Sequence, residues 1–341
     1  MTPSEPVRPR RRLAPAIGLL ILAPWVGEYL LGNVPAGQLL ALPFLIPLYG
    51  GGALLIREVT RRAGRGWPTI LLLGVAYGLI EAGLVDQSLF NPSFEGHEFQ
   101  RVTPVPAIGI SGYHTLSFLV GHAVWSIGIP IAIVELLTPA GRTTPWLGRR
   151  GLVATALLYL LGCAIIFQAL SASEGFLAAP GQLAGAATAA LLLIVAAVVG
   201  ARPGPPRPGP TRRWGRVPPV WLLGAATFVA SSAFIARPEN WWGGVIVPAV
   251  LLLGGAVLVI HWSRSADWRV GHQFALVAGA LPSYAWAGFV LTALIRPADQ
   301  VAWIGNVVFA VLAGLLLVVT GRRVLGRAAD GPRVTGGAPA R

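Results

Sequence analysis

TILLLGVAYGLIEAGLVDQSLF, Thr69 to Phe90, decides the fold. The run is long enough for the ~20 predominantly apolar residues that an α-helix needs to cross a bilayer. Arg61, Arg62 and Arg65 stand just before it, and Asn91-Pro92 ends it. Inside it lie Glu81 and Asp86, and an ionised side chain at membrane depth costs a few kcal/mol even on insertion scales. Two carboxylates in one such helix therefore need partners, water or a function.

Similar apolar runs recur along the whole chain. They cover approximately Leu13 to Gly32, Gln38 to Ile56, His114 to Leu137, Gly151 to Leu170 and Gln182 to Gly200. Four more follow, at Val220 to Ala236, Gly243 to His261, Gln273 to Leu294 and Val301 to Thr320. Composition agrees, since 55% of the 341 residues are hydrophobic and only 11% are charged, against roughly 25% charged in soluble domains. The pattern predicts an all-α, polytopic transmembrane helix bundle of about ten spans.

The net charge of +13 comes from 26 basic residues, all arginine. In a soluble domain that balance would suggest nucleic acid, but here the arginines alternate with the spans. Placing the N-terminus inside puts Arg8, Arg10, Arg11 and Arg12, then Arg57, Arg61, Arg62 and Arg65, then Arg142, Arg149 and Arg150 on the cytoplasmic side. The second half repeats the pattern, and only Arg101, Arg237 and Arg296 fall outside. By the positive-inside rule, both termini are cytoplasmic. The expected location is a plasma membrane, of a bacterium, with the lipid bilayer as partner; nucleic acid is excluded, and protein partners and cofactors are left unassigned.

The expected organisation is a basic N-terminus (1–12), a six-span region (13–200), a Pro/Arg-rich cytoplasmic linker (201–219), a four-span region (220–320) and a polar, disordered tail (321–341). ARPGPPRPGPTRRWGRVPP in the linker is too rich in proline for a helix. The single cysteine, Cys163, allows no intrachain disulfide and no CxxC site. The exterior segment Asn91 to Tyr113 holds Glu95, His97 and Glu98, but HEFQR lacks the second histidine of HExxH. It reads as a hydrated cap, and no metal set is assigned.

Intramembrane polar residues concentrate in spans one to four, in the outer half of the bilayer. Glu81, His122 and Glu28 are the candidate catalytic residues; Asp86, His114, Ser126 and Trp125 are candidate binding residues. At about 100° per residue, Asp86 falls about 140° round from Glu81, which places Glu81 inward and Asp86 at the rim. His122, Ser126 and Phe118 form one stripe at i±4 with Trp125 and Pro130 adjoining it, and a polar stripe bounded by aromatics has the character of a pocket wall. A desolvated Glu beside a His suits general-base chemistry, a proton-coupled carrier, or a hydrogen bond that only fixes packing. Pro24, Pro43, Pro47 and Pro130, with YGGGA at Tyr49 to Ala53, mark places where helices break as they do in transporter sites. At the inner face, Arg57, Glu58 and Glu135 read as structural, with the arginines of IREVTRR on lipid phosphates and Glu135 either snorkelling to the headgroups or pairing with Arg57.

Glu81 followed by FLVGH, Phe118 to His122, resembles the CPBP family of CAAX-protease and bacteriocin-processing-like intramembrane proteins. The resemblance spans about forty residues and implies a site in which Glu and His activate water for peptide-bond hydrolysis. Ala82 stands at that family's second Glu and Asp86 at its arginine, and the next histidine, His261, is on the other side of the membrane in this topology.

Overall fold

The computed structural model describes residues 13–200 and 216–329; the segments expected as the basic N-terminus, most of the linker and the end of the tail lie outside the described residues. Nine helices are α1 (Leu13–Tyr29), α2 (Ala36–Arg62), α3 (Trp67–Val85), α4 (Gly112–Leu137), α5 (Arg149–Glu174), α6 (Pro180–Val199), α7 (Val220–Ile235), α8 (Gly243–Trp262) and α9 (Val270–Ile295). The tenth, α10, runs over Gln300–Ala329. Eight of the ten are long and apolar enough to cross a membrane, and α1 and α7 are shorter apolar helices. Two short strands, β1 (Pro104–Val105) and β2 (Ile110–Ser111), pair antiparallel in the α3–α4 connection, with Pro104 opposite Ser111. Residues 321–329, expected as the start of the polar tail, instead continue α10.

Contacts between the helix ends follow the alternation that the arginines imply. At one face, Arg57 donates to the carbonyls of Gly141 and Thr144, both at 2.9 Å, and Arg65 donates to that of Gly200 at 2.6 Å. At the other, Arg296 donates to the Gly32 and Asn33 carbonyls at 3.0 and 2.9 Å. On that same face Asn91 donates to Glu174 at 2.9 Å, and Arg237 to the Tyr113 carbonyl at 3.2 Å.

Lipid tails are as apolar as leucine, so membrane helices associate through close backbone approach and polar contacts rather than hydrophobic burial. The central helix α4 packs against α1, α3, α9 and α10. By contrast α5, α6 and α8 are peripheral and expose Leu157, Leu160, Leu191, Leu192, Leu251 and Leu253. Gly52 on α2 shows what the inner packing requires: a Cβ there would come within 2.5 Å of the Tyr77 ring.

The first four helices share one departure from α geometry. Each widens into a π-helical turn, at Trp25–Tyr29, Ile46–Gly50, Glu81–Val85 and His122–Gly128. Pro24 adjoins the first turn, Pro47 lies in the second, and Pro130 stands two residues past the fourth. Proline removes an amide donor and crowds the carbonyl one turn back, and an i→i+5 turn relieves both. The prolines therefore widen these helices rather than break them, which corrects the expectation of transporter-like interruptions.

Candidate functional site

Every one of the four π turns carries a member of a single polar cluster. The α3 turn begins at Glu81 and the α4 turn at His122; the α2 turn holds Tyr49 and the α1 turn holds Glu28. A π turn displaces one residue from the helical stripe and is found preferentially at functional sites. Glu81 Oε2 lies 2.7 Å from His122 Nε2. The Tyr49 hydroxyl donates to Glu81 Oε1 at 3.0 Å and is also within reach of the Glu28 carboxylate. Asn33 Nδ2 donates to Glu28 Oε2 at 2.6 Å. His122 Nδ1 faces Ser126 Oγ at 3.3 Å.

Glu28, Glu81, His122 and Ser126, singled out from sequence, thus form one connected group. Close helix approach makes this possible. Gly27 leaves just enough room for the neighbouring helices, since a Cβ there would stand 2.7 Å from Ser126 Oγ and 3.4 Å from the Tyr49 ring. Gly78 does the same beside His122, with 3.1 Å to its Cβ.

Asp86 requires a correction. The α-helical projection put it at the rim, but its amide bonds to the Glu81 carbonyl at 2.9 Å across five residues. The i→i+5 turn brings the fifth residue back over the first, so Asp86 sits above Glu81 and within electrostatic reach of both Glu81 and His122. Its own Oδ1 accepts the Ser88 amide at 2.9 Å, closing the helix end.

Two other candidates are placed elsewhere. The Trp125 indole donates to the Ala280 carbonyl at 2.9 Å and stacks on Tyr284 with ring centres 4.5 Å apart, fastening α4 to α9. His114 lies in an outer aromatic group with Phe99, 4.3 Å between ring centres, together with Tyr113 and Phe118. In the cap, His97 stacks on Phe99, Glu98 pairs with Arg101 at 2.7 Å, and the Glu95 amide donates to Glu174.

Sequence reasoning missed Tyr49, Asn33 and Tyr77. Tyr49 had one visible signal, its position immediately before three glycines that let neighbouring helices approach. Tyr77 packs its ring beside His122, 5.6 Å between centres, and its hydroxyl is buried without a hydrogen-bond partner. A buried unpaired hydroxyl calls for an explanation, either an ordered water or a chemical role.

A second polar network closes the arginine-rich ends of α2 and α4. Arg57 is fully buried, with Nη1 at 2.6 Å from Glu58 and Nε at 3.1 Å from Glu135. Arg61 holds both oxygens of Glu135, at 2.8 and 2.6 Å. Glu58 accepts the amides of Trp146 and Leu147 at 2.8 and 3.0 Å, and Arg57 lies 3.4 Å over the Trp146 ring. Of the two alternatives for Glu135, snorkelling and pairing with Arg57, the structure shows the pair. The arginines were expected on lipid phosphates, yet Arg57 and Arg61 are turned into the protein, because two carboxylates and several loop carbonyls there match their donors.

The fold and cluster define a polytopic helical membrane protein with a buried carboxylate–imidazole site. Residues 18–326 match the model of a family described as an uncharacterized membrane protein family, and the chain belongs to it. No curated protein and no solved structure gave a significant match.

Proposed function

We propose that this protein is an intramembrane hydrolase acting on an acyl or peptide bond of a membrane-embedded substrate, in a plasma membrane with both termini cytoplasmic. The observation that carries the reading is the Glu81–His122 contact of 2.7 Å, with Tyr49 on the other Glu81 oxygen. With its proton on Nε2, His122 donates to Glu81 and keeps the Nδ1 lone pair for taking a proton from an attacking oxygen. Glu81 fixes the ring and stabilises the imidazolium that forms, the arrangement general-base catalysis requires. Glu28 supplies a second carboxylate across Tyr49. That answers one gap in the CPBP resemblance, because Ala82 occupies the position of that family's second Glu, and a carboxylate from α1 stands in the same cluster.

A proton-coupled carrier is the rival reading, since three carboxylates around one imidazole suit proton exchange. The helix packing gives it no support from internal symmetry. In the first half α2 lies along α5, whereas in the second α7 lies along α9, so the two five-helix halves are not copies. The test is the purified protein in lipid nanodiscs with a library of transmembrane peptides, read by mass spectrometry. Wild type is expected to yield cleavage products that disappear with Glu81→Gln and with His122→Ala. A Glu81-dependent proton flux in proteoliposomes with no cleavage would replace the hydrolase with the carrier.

A further inference from the structure

Ser126 touches His122 but has no part in the scheme above. We infer that Ser126 is the covalent nucleophile of the site, in a Ser126–His122–Glu81 relay; the inference rests on the hydrolase reading. Nucleophilic serine sites are recognised by geometry, namely a hydroxyl within reach of a base whose far nitrogen is oriented by an acid. Here Ser126 Oγ is 3.3 Å from His122 Nδ1, His122 Nε2 is 2.7 Å from Glu81, and Glu81 is itself held by Tyr49 at 3.0 Å. Serine hydroxyls at membrane depth commonly bond back to the carbonyl one turn earlier. At Ser126 the π turn His122–Gly128 replaces that α-helical turn, and the side chain's contact is the imidazole. Gly27 opposite leaves the hydroxyl facing a backbone position without a side chain, where a Cβ would come within 2.7 Å.

The step balances without any further reactant than water. Ser126 Oγ bonds to the carbonyl carbon as its proton passes to His122 Nδ1, and the imidazolium then protonates the leaving amine as the C–N bond breaks. Water attacks the acyl-serine ester, gives its proton to His122, and that proton returns to Oγ as the C–O bond breaks. The substrate class is an amide or ester whose carbonyl reaches the outer half of the bilayer.

The experiment uses the full chain in nanodiscs with two fluorophosphonates, a small alkyl one and one with a lipid-like chain, and locates any adduct by peptide mass spectrometry. The expected result is an adduct on Ser126 that is absent in Ser126→Ala and formed at least about tenfold more slowly in His122→Gln and Glu81→Gln, in line with the 10²–10⁴-fold typical of general-base assistance. Thermal unfolding of each variant separates loss of labelling from loss of fold. No adduct on Ser126 with either probe overturns the proposal, as does Ser126→Ala that keeps peptide cleavage within about twofold of wild type. If cleavage depends on Glu81 and His122 while Ser126 stays unlabelled, the hydrolase reading stands with water as nucleophile and the serine falls. An adduct on Ser126 with no peptide cleaved supports the nucleophile and moves the fault to the peptide substrate class.

Discussion

Two of the buried polar clusters among the described residues are anchored on α2, and they are built on opposite principles. The inner one sets Arg57 and Arg61 against Glu58 and Glu135, and every carboxylate oxygen there has a donor. The outer one gathers Glu28, Glu81 and Asp86 around a single imidazole, and among the described residues no arginine pairs with any of the three. Buried charges are stable only when paired and hydrogen-bonded. The inner cluster meets that condition with its own residues and works as a clamp. The outer one, with three acids and one base, must take up protons from outside its own side chains to become neutral. It also sits on four π turns, whereas the inner residues lie on regular α-helix ends. Balance holds the inner cluster together; the outer one is unbalanced and lies on widened turns.

The comparison can be broken most sharply at the clamp. Arg57→Ala leaves Glu58 and Glu135 short of a partner in a buried site, and removing one member of a buried ion pair is strongly destabilising, by about 3–5 kcal/mol. Unfolding in mild detergent should show that loss, and a change below ~1 kcal/mol would mean the network is not a clamp. A smaller effect is expected where the two clusters' helices cross. Gly27→Ala drives a methyl against Ser126 Oγ, and overpacking of this kind costs about 1–3 kcal/mol, so both stability and Ser126 labelling should fall. Smaller again is Trp125→Phe, which removes one hydrogen bond to Ala280, about 1 kcal/mol, and should leave labelling unchanged; altered labelling would return Trp125 to the site. The smallest stability effect belongs to Glu81→Gln. It removes one negative charge from an acid-rich cluster and keeps an oxygen for Tyr49, so the unfolding midpoint should hold or rise while activity is lost. A large drop in stability there would make the outer cluster a second clamp.

The membrane architecture was legible because it rests on a local property. Bilayer thickness fixes the length of an apolar run and lipid excludes charge, so Thr69 to Phe90 and its counterparts identify themselves without reference to the rest of the chain. The Glu81–His122–Glu28 group was legible for the same reason, since charged residues at membrane depth are too rare to overlook. Angular reasoning failed at Asp86, because it assumed α-helical periodicity through a turn that is π-helical. The partner of Trp125, the Ala280 carbonyl on α9, cannot be read from α4 alone.

By itself, then, the sequence determined the spans, their alternation and the identity of the intramembrane acids, all set by the solvent around each segment. Only the tertiary structure decided which of those residues meet. It joined Tyr49 to Glu81, brought Asn33 to Glu28, and turned Arg57 and Arg61 away from lipid. The physical reason is that a helix's phase, and the partner it faces, depend on where neighbouring helices force it to widen, and that is a property of the packed bundle rather than of any one segment.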